Sequence, residues 1–289
     1  MISPCKPPFP RPRPLEPRPK PKRLPERKRM TIAIGFWSND GVLLCADTQL
    51  SMSGGIKTYD GKVHTHIFHD SSKYRIVFGV AGTGDSDYIS MAMGKVMESF
   101  PRCENLEEVE TELEERWLAF FNKHIAPWAY FPRDDRPYVE LLIAVSGTHV
   151  HHTLYHCVGT AFYRTSTKAI GTGILLADEM LNRYTFGNYN IEQLGRLGVY
   201  IMAKVKHSVD GCGGSTQFMA LRKGGDFALS DKGDVDSLEE EILAVERADD
   251  KNLVASILEK PFLIHWFSQI RKTKGSKQSP AAQPPRLAE

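Results

Sequence analysis

The chain has 289 residues and a formal net charge of +2, but the charge is unevenly distributed. Residues 1–30 carry a net charge of +8 and residues 271–289 carry +4, which leaves −10 on residues 31–270. A nucleic-acid-binding domain concentrates basic charge on its folded part, so this acidic body argues against nucleic acid as a partner. No apolar run approaches the roughly 18 residues of a transmembrane helix, which argues against a membrane partner.

Residues 1–30 hold ten of the 18 prolines and ten Lys or Arg. Proline fixes φ and lacks a backbone donor, and little apolar surface is present, so this segment is predicted to be disordered. Three explanations are open: a basic interaction arm, a propeptide, or a stretch that the mature protein lacks because translation starts at Met30. We favour the last, because Glu26–Arg29 can be encoded by purine-rich codons that resemble a bacterial ribosome-binding site.

Two apolar segments joined by a turn signal follow this extension. Thr31–Trp37 and Val42–Asp47 are rich in β-branched and apolar residues, and Ser38–Gly41 between them predicts a tight turn. Lys62–His69 alternates weakly between polar and apolar residues, whereas Tyr74–Ala81 predicts a strong strand. The first part of the body is therefore expected to be a run of strands.

Helical patterns and further strands alternate in groups over the rest of the body. Gly82–Asp85 opens one helix, and Asn105 with Glu108 resembles a capping box that begins the next. The later predictions are strands near 137–146, 150–157, 216–222 and 226–230, and helices from 174 to about 184, 191–205, 236–247 and 252–270. Such grouping favours one α+β domain over residues 31–270, followed by a disordered tail at 271–289.

Thr31 is the first candidate catalytic residue, although threonine is also common in strands. It follows Met30, and removal of an initiator methionine would leave Thr31 with a free α-amine. An N-terminal threonine combines nucleophile and base, because its own α-amine can accept the hydroxyl proton. The ordinary pKa of that amine, about 7.7–8.0, suits catalysis near neutral pH.

Several segments resemble proteasome β-type subunits and the bacterial proteasome-like threonine peptidases. Asp47 stands 16 residues after Thr31, which is the family spacing for the active-site aspartate. The resemblance covers about residues 31–230 and includes the order of the elements. The segments that carry it are Thr31–Gly35, Gly41–Asp47, Val80–Asp85, Ala169–Gly173 and Gly211–Gly214.

The resemblance implies a four-layer αββα sandwich of the N-terminal-nucleophile hydrolase type. It implies a threonine endopeptidase that cleaves peptides or unfolded proteins inside a homo-oligomeric ring, with no cofactor. An ATP-dependent unfoldase is an implied partner. The five scattered cysteines include no CxxC motif, which is typical of reduced thiols and predicts a cytoplasmic protein.

The resemblance also assigns roles to individual residues. Thr31 would attack the substrate carbonyl, and Asp47 would hold Lys62, whose charge would lower the pKa of the α-amine. The backbone N–H of Gly82, at a helix N-terminus, would stabilise the oxyanion. Thr172 would replace the family serine that hydrogen-bonds near the terminal amine.

The chain departs from the family pattern at two places. Lys62 fits the spacing from Asp47 closely but not the spacing to Gly82, and an alignment on His66 would put histidine in the place of the lysine. Lys62 and His66 share strand parity, so both could face one site, and we favour Lys62. Near residue 211, Cys212 occupies the place of a family serine and Asp210 lies two residues before it rather than three. Both are retained as further candidates.

The sequence offers three other interpretations. The histidines cluster near residues 64–69 and 149–156, but alternating strand faces separate the second group, so we predict no metal site. If residues 1–30 stay attached, Thr31 has no free amine and the chain would be an inactive, proteasome-like structural subunit. A non-peptide amidase with the same kind of nucleophile would use the same residues as the peptidase.

Overall fold

Two five-stranded antiparallel β-sheets form the centre of the molecule in the computed structural model. The segment 1–30, the predicted helix 252–270 and the tail 271–289 lie outside the described residues, so the predictions for them stay predictions. The structure describes residues 31–51, 57–59, 61–68, 74–183, 188–230 and 232–247.

The strands are short, and most are connected to a sequence neighbour by hydrogen bonds. In chain order they are β1 (Ile32–Ser38), β2 (Gly41–Asp47), β3 (Gln49–Ser51), β4 (Lys57–Tyr59), β5 (Val63–Phe68), β6 (Ile76–Gly84), β7 (Val139–Gly147), β8 (Thr153–Val158), β9 (Ala161–Arg164), β10 (Thr167–Gly171), β11 (Thr216–Arg222) and β12 (Phe227–Leu229). The first sheet has the order β10-β1-β2-β11-β12 and the second has β5-β6-β7-β8-β9. Strands β3 and β4 form a separate pair.

The helices lie in three groups along the chain, after β6, after β10 and after β12. They are α1 (Ser86–Val96), α2 (Leu106–His124), α3 (Ile174–Asn182), α4 (Ile191–Ser208) and α5 (Lys232–Arg247). Two 3₁₀ segments, Ala126–Tyr130 and Arg133–Asp135, follow α2. Within the described residues, no helix combines the length and apolar character needed to cross a membrane.

The predicted hairpin between β1 and β2 is confirmed, with Ser38 paired to Gly41 across the turn. Side chains along these strands alternate between two buried faces, which explains why both sequences are almost wholly apolar. Ile34 and Cys45 face a core shared with α3, α4 and α5. Ala33 and Leu44 face the second sheet, whose far side packs on α1 and α2.

The expected four-layer αββα sandwich of the N-terminal-nucleophile hydrolase type is corrected by the structure. The described chain is a pair of mostly antiparallel sheets with a few helices, which do not form complete outer layers. His64 and His66 on β5, an edge strand of the second sheet, are exposed. Strand pairing and sheet-on-sheet packing therefore organise the molecule.

Several element boundaries also differ from the predictions. Gly82 and Gly84 lie in β6, where they pair with β7, so α1 begins only at Ser86. Helix α5 begins at Lys232 rather than near residue 236. The short strands β9 and β10 were not predicted, because their polar and apolar residues show no clear alternation. The capping interaction at Asn105 is confirmed, since its side chain accepts a hydrogen bond from Glu108 N at 2.9 Å.

Candidate active site

Three of the predicted catalytic side chains meet where β1 begins and β2 ends. Lys62 Nζ lies 2.7 Å from Thr31 Oγ1 and 2.6 Å from Asp47 Oδ1. The three residues are buried, with 7% of Thr31, 6% of Lys62 and none of Asp47 exposed. The structure thus brings a hydroxyl, an ammonium group and a carboxylate into direct contact.

The fold explains why residues distant in sequence meet here. Thr31 precedes β1 and Asp47 ends β2, so the antiparallel hairpin brings both residues to its open end. Lys62 immediately precedes β5 of the second sheet, and its backbone N–H donates to Gln217 Oε1 on β11 at 2.8 Å. The side chain of Gln217 therefore fixes where the lysine enters the site.

Asp47 is held by three hydrogen-bond donors. Besides Lys62, Ile32 N donates to Oδ1 at 3.2 Å and Gly213 N donates to Oδ2 at 3.0 Å. Burial raises the pKa of the Asp47 carboxyl, while the charge of Lys62 and the hydrogen bonds oppose that rise. The carboxylate form is consequently stabilised by its specific partners and not by water.

The ammonium group of Lys62 contacts three residues of the site. In addition to Thr31 and Asp47, it donates to the carbonyl oxygen of Gln49. Burial lowers the pKa of Lys62, and the attraction of Asp47 opposes this effect. A buried lysine next to a hydroxyl can stabilise the negative charge that develops when the hydroxyl loses its proton.

His66 is not part of this cluster. Its side chain is exposed on β5, and its ring lies 4.2 Å from the ring of Phe68, centroid to centroid. Partial burial lowers the pKa of His66. Lys62 and His66 are an even number of residues apart, but they do not share one face of β5, because Lys62 lies before the strand begins. Contact with Thr31 is made by Lys62.

Thr172 lies beside Thr31, whereas Gly82 lies away from the expected helix N-terminus. Thr172 N donates to the carbonyl oxygen of Thr31 at 2.7 Å, but the Thr172 side chain is exposed. Gly82 lies inside β6, and a Cβ on it would contact Leu141 Cδ2 at 2.7 Å on the side of α1 and α2. The predicted location of Gly82 at a helix N-terminus is therefore wrong, and its oxyanion role stays a prediction from the resemblance.

The turn after α4 brings Cys212, but not Asp210, close to the site. Burial raises the pKa of the Cys212 thiol to about 12, and the nearby charge of Asp47 adds to this rise. A thiol of that kind is a poor nucleophile at neutral pH. Asp210 is exposed, and within the described residues it makes no hydrogen bond or ion pair with Thr31, Asp47 or Lys62.

The histidines of the second predicted group serve other contacts. His156 Nε2 lies 2.6 Å from Glu140 Oε1, and its Nδ1 lies 2.5 Å from the hydroxyl of Tyr163. His152 Nε2 lies 2.8 Å from the carbonyl oxygen of Ser38. Over the part of the chain that the structure describes, no three His, Cys, Asp or Glu residues are grouped as metal ligands.

The sequence did not single out Gln217 or the role of Gly171. The glutamine in β11 has no motif around it, and only the strand pairing places it beside Lys62. Gly171 has a φ of +102° next to Thr31, and its place in the Gly-Thr-Gly segment was the available signal. Gln49 contacts Lys62 through its backbone carbonyl oxygen.

Comparison with solved structures identifies the architecture. An Anbu Gly-1 mutant from Hyphomicrobium sp. strain MC1 matches with a TM-score of 0.61 and 12% identity, covering 76% of this chain and 97% of the other. Anbu from Yersinia bercovieri, described as an ancestral β-subunit, matches with a TM-score of 0.58 and 13% identity, covering 80% of this chain and 98% of the other. This chain has an Anbu-like fold. The helical assembly of the Anbu complex from Pseudomonas aeruginosa matches with a TM-score of 0.58 and 11% identity, covering 75% of this chain and 95% of the other.

The Anbu-like fold corrects the resemblance drawn from the sequence motifs. The similar structures are Anbu proteins, a distinct proteasome-like family, and not the proteasome β-type subunits or bacterial threonine peptidases named from the motifs. The short glycine and aspartate motifs of this sequence did not separate these families. No protein-family profile matches the chain, and no curated protein sequence matches it.

Proposed function

We propose that the chain, when it begins at Thr31, is a threonine-type hydrolase that cleaves peptide bonds. The observation that carries this proposal is the position of Lys62, whose Nζ contacts both Thr31 Oγ1 and Asp47 Oδ1. A lysine held by a carboxylate against a hydroxyl favours ionisation of that hydroxyl. Lys62 is buried, which strengthens this effect because water does not screen its charge.

In the proposed reaction, Thr31 Oγ1 attacks the carbonyl carbon of the substrate, and the α-amine of Thr31 accepts the hydroxyl proton. The positive charge of Lys62 lowers the pKa of that amine, so that more of it is in the basic form. The carbon–nitrogen bond then breaks, and the ammonium proton passes to the departing amine. Water hydrolyses the resulting ester and restores the free threonine.

We propose further that copies of the chain assemble with one another and enclose their sites. Support comes from the fold, since an Anbu protein with the same architecture forms a helical assembly. Enclosure in a ring or a helix would restrict cleavage to peptides and unfolded chains that reach the interior. An ATP-dependent unfoldase remains an expectation from the sequence resemblance.

The test compares the full chain with a protein that begins at Thr31. Intact-mass measurement defines the first residue of each, and hydrolysis of unstructured fluorogenic peptides measures activity. We expect activity only in the protein with a free Thr31 amine, some activity in Thr31→Ser, and none in Thr31→Ala. Equal hydrolysis by Thr31→Ala and the unaltered protein would contradict the proposal.

An inactive structural subunit is a second candidate, because Thr31 carries a peptide bond to Met30 in the full sequence. If the protein purified from its native host retains residues 1–30 and cleaves nothing, the structural role is the correct one. Small acylated amines test a non-peptide amidase in the same assay. Hydrolysis of those amines without hydrolysis of peptides would replace the peptidase proposal.

A further inference from the structure

A buried ion pair connects α5 to the turn Gly211–Ser215, which lies between α4 and β11. Lys206 Nζ, near the end of α4, donates to the carbonyl oxygen of Gly214 at 2.8 Å and to Glu239 Oε2 at 2.5 Å. Glu239 Oε1 accepts a hydrogen bond from the Thr216 hydroxyl. The side chains of Lys206 and Glu239 are 10% and 11% exposed, so solvent screens their attraction only weakly.

The same turn forms one wall around Asp47. Gly213 N donates to Asp47 Oδ2 at 3.0 Å, and the Gly213 carbonyl accepts from Gln49 N at 3.1 Å. Gly211 and Gly214 have φ values of +94° and +75°, conformations that other residues rarely adopt. With glycine at three of its five positions, the turn depends on outside partners to fix its place.

We propose that Lys206 and Glu239 are positioning residues that hold the Gly213 N–H against Asp47. Glu239 fixes Lys206, Lys206 fixes the Gly214 carbonyl, and the adjacent Gly213 N–H is thereby kept on Oδ2. The pair touches neither Thr31 nor a reacting atom, and its importance for catalysis rests on the proposed function. Its effect on Asp47 is independent of catalysis.

Loss of the pair is expected to change the ionisation of Asp47. When the Gly213 N–H moves away, the carboxylate loses a donor that stabilises its charged form, so its pKa rises. The titratable and charged groups facing Asp47 are Lys62 and the Cys212 thiol, with the α-amine in a chain that begins at Thr31. Lys206 and Glu239 lie behind the turn, so we expect them to act mainly through Gly213.

The variants Glu239→Gln and Glu240→Gln form a matched pair, because they are adjacent on α5 and remove the same charge. Glu239 is buried and Glu240 is exposed. In full-length protein labelled with ¹³C at aspartate carboxyl groups, Asp47→Asn identifies the Asp47 signal, and its titration gives the pKa. We expect a rise of about 0.5–1 pH unit in Glu239→Gln and none in Glu240→Gln.

Peptide hydrolysis by chains that begin at Thr31 is measured in parallel. Glu239→Gln should lower kcat about tenfold, leave KM within about twofold, and move the acid limb of the pH profile upward. Lys206→Arg, which can keep both contacts, should restore most of the activity relative to Lys206→Met. A folded Glu239→Gln protein with an unchanged Asp47 pKa would overturn the positioning role.

A gentler variant covers the case in which Glu239→Gln does not fold. Glu239→Asp keeps the negative charge but shortens the side chain, so it weakens the contacts of Glu239 with Lys206 Nζ and the Thr216 hydroxyl. It should raise the Asp47 pKa in the same direction, and no change would again overturn the proposal. If Asp47 responds as expected while no variant or unaltered protein cleaves peptides, the positioning role stands and the proposed function fails.

Discussion

Gly171 lies directly against the backbone carbonyl of Thr31. Its φ of +102° is a conformation that favours glycine, and a Cβ at this position would overlap the Thr31 carbonyl oxygen. The next residue, Thr172, donates its backbone N–H to that oxygen at 2.7 Å. The end of β10 thus fixes the backbone of Thr31 while Lys62 contacts its hydroxyl.

Gly171→Ala is therefore expected to be strongly destabilising and to remove hydrolytic activity. Backbone strain alone costs on the order of 1–2 kcal/mol, and the overlap with Thr31 adds to it. Gly224→Ala is the control, because Gly224 has a φ of +88° but a Cβ there would contact nothing within 4 Å. Urea denaturation should show a clearly larger loss for Gly171→Ala, and equal losses would contradict the importance of the contact.

Removing one member of the Lys62–Asp47 pair should cost more than removing both. Lys62→Met leaves the Asp47 carboxylate buried without its cation, which destabilises proteins by about 3–5 kcal/mol. The double variant Lys62→Met/Asp47→Asn should be more stable than Lys62→Met, although we expect it to be inactive. Lys95→Met serves as the control, since the Lys95–Glu98 pair is exposed and solvent screens it, so its loss should have little effect on stability. Additive losses in the double variant would argue against coupling.

The buried Lys62–Asp47 pair should also make the stability of the protein depend on pH. Burial raises the pKa of Asp47 above its ordinary 3.8, so the folded state binds more protons there than the unfolded state does. Stability therefore falls as the pH rises from 3.8 through the raised pKa of Asp47. Burial lowers the pKa of Lys62 below its ordinary 10.5, so the unfolded state binds more protons and stability rises again toward 10.5. Urea denaturation between pH 4 and 10, relative to Lys62→Met/Asp47→Asn, should show a minimum between these limits. A flat difference would show that burial does not shift either group.

Cys212 should be chemically inert despite its position beside Asp47. Burial raises its pKa to about 12, so almost no thiolate is present at neutral pH. Iodoacetamide at neutral pH should leave Cys212 unmodified in the folded protein and alkylate it after denaturation, as peptide mass mapping can show. Cys212→Ser should keep peptide hydrolysis within about threefold, whereas a complete loss would point to catalysis by the thiol.

The local strand and turn patterns predicted much of the central fold. Val42–Asp47 and Ser38–Gly41 follow from apolar runs and turn residues, which depend only on nearby sequence. The arrangement of two antiparallel sheets did not follow, because it depends on which distant strands pair. The short strand β10 is an example, since its hydrogen bonds to β1 are absent from any local pattern.

The same distinction applies to the site. The hairpin explains why Thr31 and Asp47 meet, and the structure places Lys62 rather than His66 in contact with Thr31. Strand parity could not show that Lys62 lies before β5 and turns toward the first sheet. The contribution of Gly213 depends on a turn about 166 residues from Asp47, which local sequence does not reveal.

Asp47 ends β2 of the first sheet and Thr31 immediately precedes β1, whereas Lys62 leads into the second sheet. The 2.7 Å and 2.6 Å contacts of the lysine therefore measure how the two sheets are aligned. A sideways shift of one sheet by a single ångström would break both contacts without altering any residue of the site. Side chains in the middle of the molecule, such as Leu154 packed over Gly35, thus set the spacing between the sheets on which the contacts of Lys62 depend.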